Sequence, residues 1–127
     1  MGISTEVVAS TKAELQQAIA AHGMWKSRLK SALAQGGTDQ DVKVVRLDNH
    51  CAFGKWLHGC DAALKRTPFH DVVRKLHAEF HVRSAEVLTL ATTGKRSEAE
   101  QLIGPKGAWT EASVALTAKM MEWQRTL

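Results

Sequence analysis

Cys51 stands in His50-Cys-Ala-Phe-Gly-Lys-Trp-Leu-His-Gly-Cys60, a run dense in groups that could do chemistry. Its thiol could serve a disulfide, act as a nucleophile, hold a metal or simply pack. The chain has two cysteines, and in a reducing compartment a lone pair argues for thiols or metal binding rather than a staple. Placed in the first turn of a short helix, Cys51 would have its thiolate favoured by the helix dipole and free N–H groups. His77 and His81 lie four apart in Leu-His-Ala-Glu-Phe-His. Four residues bring two side chains back to one helix face, about 6 Å apart along the axis, so the two rings can chelate one ion. No Glu follows His77 directly, which excludes the His-Glu-x-x-His pattern of zinc peptidases. His22 falls on the apolar stripe of the first helix, where an unpaired imidazole is costly. Three imidazoles and one thiolate are what a closed tetrahedral zinc site requires. On residue types alone, that reading and one of scattered histidines both stand.

Helices must position these groups. Leu15, Ile19, His22, Trp25, Leu29 and Leu33 recur at spacings of three and four, predicting a first helix over about 4–34. Thr11 with Glu14 fits a capping box, so its regular part is expected to begin there after a looser turn. Gln-Gly-Gly at 35–37 ends it. Residues 38–50 read as an extended or single-turn segment lying on the bundle, since the valines of 42–45 have no partner strand. A short helix over about 49–58, capped by Asp48 or Asn49, would turn Phe53, Trp56 and Leu57 inward. Thr67 and Pro68 start a long helix to about 92, striped by Phe69, Val73, Leu76, Phe80 and Val87 and ended by Gly94. Ser97 to Glu100 reads as the capping box of a last helix, whose seam is Trp109, Ala112, Leu116, Met120, Trp123 and Leu127. Gly104-Pro105-Lys-Gly107 interrupts it, predicting a kink or break. The expected fold is all-α: a bundle of three long helices plus a short helix carrying Cys51, in one domain over 1–127.

The bulk numbers agree. A chain of 127 residues with 44% hydrophobic and 24% charged residues can bury a core of its own. The net charge of +4 is spread along the chain rather than gathered in a patch, which argues against nucleic acid as a partner. No apolar run reaches membrane-spanning length, and the first residues carry neither a basic start nor an apolar core. The expectation is a cytoplasmic protein without a membrane partner.

The order His22 with Trp25, then Cys51-Ala-Phe-Gly-Lys-Trp-Leu57, then His77-x-x-x-His81 resembles the chemoreceptor zinc-binding (CZB) domain family. The resemblance spans roughly 15–125. It implies a helical bundle that binds Zn2+ through His22, Cys51, His77 and His81. It also implies a regulatory, non-enzymatic, cytoplasmic domain acting as a homodimer with a chemotaxis or diguanylate-cyclase output. Zinc sensing is a family role, as is sensing of oxidants such as hypochlorous acid through the zinc-bound thiolate. No methyl-accepting coiled coil or cyclase accompanies the chain, so it reads as a stand-alone member or an excised fragment. Cys60 lies outside the matched core.

The competing readings differ in their ligand needs. A catalytic zinc keeps an open position and a nearby base, whereas Glu79 lies on another face from the histidines. A di-iron, hemerythrin-like bundle needs more histidines and bridging carboxylates, and the last helix has no histidine. A purely structural zinc in a dimerisation module would use the same ligands as a sensor. Among neighbouring groups, Asp48 or backbone carbonyls are expected to orient the imidazoles. His50 is an alternative ligand. His58 and His70 read as surface residues. Trp25, Phe53 and Trp56 read as a core that shields the metal. Trp109 and Trp123 suit either core or dimer surface, and Met120 with Met121 reads as packing.

Overall fold

A computed structural model describes residues 3–127. Its elements, in chain order, are α1 (Thr5–Gly23), α2 (Trp25–Gln35), α3 (Val42–Val45), α4 (Ala52–Gly59), α5 (Ala62–Lys65), α6 (Pro68–Thr92), α7 (Arg96–Leu102) and α8 (Ala108–Thr126). No strand occurs among the described residues. The fold is the all-α bundle that the periodicity predicts. The three long helices are α6 and two composites, α1 with α2 and α7 with α8.

Local chemistry sets most boundaries. Thr67 Oγ1 accepts from the His70 amide at 3.3 Å and Pro68 fills the first helical position, so α6 starts where expected. Gly36 (φ 67°) and Gly94 (φ 79°) adopt the left-handed conformation that ends α2 and α6. The break at 104–107 separates α7 from α8 as the glycines and Pro105 predict.

Several details differ. The first helix is regular from Thr5, because Ser4 Oγ accepts from the Val7 amide at 3.2 Å. Thr11 is buried within it and its hydroxyl donates to the Val7 carbonyl at 2.7 Å, so no capping box forms there. That helix is also interrupted at Met24, whose amide bonds the Ala21 carbonyl three residues back. Gly23, a poor helix former, precedes the interruption. α7 begins at Arg96 and its N-cap residue, Lys95, makes no side-chain cap. The Lys95 amide closes on the Leu90 carbonyl at 2.9 Å, a turn tight enough to start the helix before Ser97 can cap it. α3 takes the single-turn form, with Asp41 Oδ1 accepting from the Lys43 amide. α5 is an unanticipated turn, capped by Asp61.

α6 is the central element, packed against α8, α2, α7, α3, α4 and α5. Val73, Phe80 and Val87 of its stripe are fully buried, each worth about 1.5–3 kcal/mol relative to exposure. Trp109, Leu116, Met120 and Trp123 of α8 close over it, which places both tryptophans in the core of the chain. The Trp109 indole donates to Ser84 Oγ at 2.9 Å, and Ser84 donates to the Phe80 carbonyl. Met121 is exposed while Met120 is buried.

α4 is seated by close backbone approach. Gly54 is buried, and a Cβ there would overlap the Asp48 carbonyl oxygen. Phe53 and Leu57 of α4 point into the core, with Trp56 half-buried, stacked on Phe53 and tilted against Trp123. His70, expected at the surface, is buried because its Nε2–H donates to the Leu57 carbonyl at 2.8 Å, tying the start of α6 to α4. Gly54→Ala should therefore force α4 away from Asp48 and destabilise the fold by about 1–3 kcal/mol. Lys55→Ala, on the exposed face, should change the urea midpoint little; equal midpoints for the two variants would refute the close seating of α4.

Candidate metal centre

α1 supplies His22, α6 supplies His77 and His81 one turn apart, and the start of α4 supplies Cys51. One donor atom from each lies within 4.8 Å of all the others. His77 Nε2 is 3.0 Å from His81 Nε2, 3.2 Å from His22 Nε2 and 3.3 Å from Cys51 Sγ. Cys51 Sγ is 3.5 Å from His81 Nε2. The four residues that the sequence singles out are thus brought to one point.

Burial and hydrogen bonding fix the state of these groups. His22 Nδ1–H donates to the Ala18 carbonyl at 2.8 Å, and His81 Nδ1–H donates to the Val45 carbonyl at 2.9 Å. A carbonyl only accepts, so both protons sit on Nδ1 and both Nε2 atoms turn lone pairs inward. Burial, the largest cause, lowers His22 from 6.5 to about 4 and His77 to about 2, the latter helped by the neighbouring rings. Burial also lowers His81. The rings are neutral at physiological pH. Desolvation raises the Cys51 thiol, opposed by the backbone N–H groups around it.

Two committed lone pairs therefore meet His77 Nε2 at contact distance. That atom can carry one proton and the Cys51 thiol, 3.5 Å from His81 Nε2, a second, weakly donated one, so these are the only two protons available to the inward lone pairs. His77 Nδ1 is buried without a partner. A cation at the centre would accept all four donors at once. A tetrahedral shell with Zn–N of about 2.0–2.1 Å and Zn–S of about 2.3 Å has N···N edges of about 3.3 Å and S···N edges of about 3.6 Å. Four of the six separations, 3.0–3.2 Å between nitrogens and 3.3–3.5 Å to sulfur, lie close to those edges, and the two from His22 to His81 and Cys51 are within 4.8 Å. The donor set fits a metal ion, and it contains no carboxylate of the kind a di-iron centre would need.

A family model matches the chain. The description of that family is the chemoreceptor zinc-binding domain, and the match covers residues 22–88. The chain belongs to the CZB family. The matched segment runs from His22 to Leu88, shorter than the 15–125 span expected, and holds all four donors while leaving out α7 and α8. Comparison with curated proteins and with solved structures gives no significant match.

In this CZB domain Cys51 is the N-cap of α4 rather than a residue of its first turn. Its Sγ accepts from the Gly54 amide at 3.3 Å, doing the work expected of Asp48 or Asn49. Asp48 orients none of the cluster's imidazoles; its carboxylate sits 3.4 Å from the exposed His58. Backbone carbonyls of Ala18 and Val45 take the orienting role. His50 is exposed and outside the cluster. Cys60 is half-buried, with its thiol directed at the Leu57 carbonyl. Phe53 and Phe80 wall the centre edge-on to His22, and Trp25 packs on Phe80. The Val45 carbonyl had no sequence signal of its own, although Asp41 ahead of four helical residues marked the turn that presents it. No helix among the described residues is long and apolar enough to cross a membrane.

The lowered histidines set a pH dependence. Unfolded rings titrate near 6.5, and the folded ones lower, His22 at about 4 and His77 at about 2. The folded chain thus binds fewer protons, so its stability is intact above pH 6.5 and falls as pH drops from 6.5 through about 4. With chelator present, the denaturant midpoint should hold between pH 7.5 and 6.5 and decline from there toward pH 4. A midpoint unchanged over that decline would show that the rings are not buried neutral.

Proposed function

We propose that this CZB domain is a zinc-responsive element of bacterial signal transduction, with His22, Cys51, His77 and His81 as its ligands. The observation that carries the reading is the convergence of two tautomer-fixed imidazoles, a third imidazole and a thiol on one buried point. Bound zinc would supply the positive charge that holds Cys51 as thiolate and offsets the facing lone pairs. His22 and His81 hold their Nε2 lone pairs toward the centre through their carbonyl bonds. Cys51 does two jobs at once, since the sulfur that would ligate also caps α4.

Cys51 is the donor open to change. A two-electron oxidant such as hypochlorous acid converts a thiolate to a sulfenic acid while being reduced to chloride, whereas the imidazoles survive. Losing that sulfur removes one ligand and the cap of α4 together, freeing the helix that Gly54 seats against Asp48. The role is regulatory rather than catalytic, because four protein donors leave no position for a substrate. A homodimer in the cytoplasm, coupled to a chemoreceptor or a diguanylate cyclase, is the assembly in which such a shift would be read.

Chelator competition, with oligomeric state and helicity followed at each point, tests this. We expect one zinc per chain, and affinity weakened on the order of 100-fold or more in Cys51→Ser. Stopped-flow zinc release on hypochlorous acid should be fast in the unmodified chain and slow in the variant. Equal release from both would end the sensing role of Cys51. Two irons per chain would reject the site itself, and zinc that no oxidant displaces would make it a structural staple.

A further inference from the structure

The three imidazoles are held unequally. His22 leans on Ala18, four residues earlier in its own helix, and His77 Nδ1 has no partner. His81 alone reaches another element, through the Val45 carbonyl at the end of α3. That bond spans 36 positions of sequence. α3 has few other anchors. Val45 is its one buried residue and Val42 is partly buried against the core, while Val44 and Leu47 are 40% and 46% exposed. A cavity of about 360 Å³ lies beside it, bordered by Trp25, Val44, Leu47, Cys51 and His81. An element with so little buried apolar contact sits at the low end of local stability. Downstream, the same segment continues to Asp48, packed on Gly54, and to Cys51, so both of its ends meet the donor cluster.

We propose that α3 is a working part of the metal centre: the Val45 carbonyl aims His81 at the ion, so that ion occupancy and the helical order of residues 42–45 are linked. The inference rests on the zinc-binding reading above and adds an element to it. With an ion on Nε2, His81 must keep its proton on Nδ1, and the Val45 carbonyl is the acceptor that meets it. A disordered α3 presents no fixed carbonyl, so the ring loses its aim. Linkage makes the effect reciprocal: what orders α3 tightens zinc, and zinc orders α3.

Two substitutions outside the ligand set separate this from general destabilisation. Val42→Pro places proline at the first position of α3, after Asp41 in an extended conformation (ψ 110°), and the Val42 amide donates to no backbone or side-chain acceptor among the described residues. Val44→Gly loosens the same turn at an exposed position. Amide hydrogen exchange on the unmodified chain reads Val45, Arg46 and Leu47, whose N–H groups close the turn on Asp41, Val42 and Val44. We expect zinc to slow exchange at these amides about tenfold or more, Val42→Pro to tighten zinc, and Val44→Gly to weaken it about tenfold, the scale of an orienting group. Zinc that binds the unmodified chain tightly without slowing these amides overturns the role of α3 alone, as do variants whose affinities stay within twofold. Absence of zinc binding by the unmodified chain overturns the site reading and this inference together.

Discussion

Three neutral imidazoles and a thiol share one buried point, and the lone pairs they turn inward must be met by the few protons there or by one cation. The rest of the structure is arranged around that constraint. The i, i+4 spacing on α6 brings two rings to one face, and α1 delivers the third from across the bundle. Carbonyls of Ala18 and Val45 then remove the freedom of tautomer, so that the outer rings can only accept at the centre. Burial does the remaining work, lowering His22 and His77 far enough that both rings stay neutral near pH 7.

Apolar packing holds this polar centre in place. Phe53 and Phe80 meet His22 edge-on, leaving its ring little room to turn. Trp109 lies tilted against Phe80, and its indole N–H is satisfied by Ser84 on the same helix, so the back of the site is anchored by a bonded pair. On the other side, His70 bonds the Leu57 carbonyl and Trp123 lies against Phe69 and Trp56. The helix carrying Cys51 is therefore held by α1 and α6, with Trp123 of α8 against its Trp56, while its cap depends on the thiol itself. The same sulfur closes both the donor set and the helix end, which makes a chemical change at Cys51 a change in local structure.

Much of this was legible in residue spacing. The stripes of the long helices, the Thr67-Pro68 start, the glycine stops and the break before α8 follow from periodicity and turn chemistry that act locally. The clustering of His22, Cys51, His77 and His81 was legible because the helical face and the order of the motif converge on it. What escaped depends on tertiary context. His70 looks like a surface residue until Leu57 of another helix presents a carbonyl. Asp48 looks like an orienting group, yet its backbone is used against Gly54 and its side chain pairs with His58. Thr11 and Ser97 carry capping chemistry, but Ser4 and the tight turn after Gly94 set the helix starts first. Cys51 as a cap was hidden because thiols are rarely considered for that place.

The donors divide by the stiffness of what carries them. His22, His77 and His81 sit within α1 and α6, helices of 19 and 25 residues with buried faces. Cys51 and the carbonyl that aims His81 both belong to the stretch from α3 to the start of α4, which has a four-residue helix and exposed Val44 and Leu47. A centre built across that boundary cannot respond symmetrically. Loss of a ligand leaves the long helices packed by their own apolar stripes and loosens the one segment that the centre itself holds down. On the signalling reading, this asymmetry selects the α3–α4 stretch as the moving part and the α6–α8 pair as the frame against which it moves.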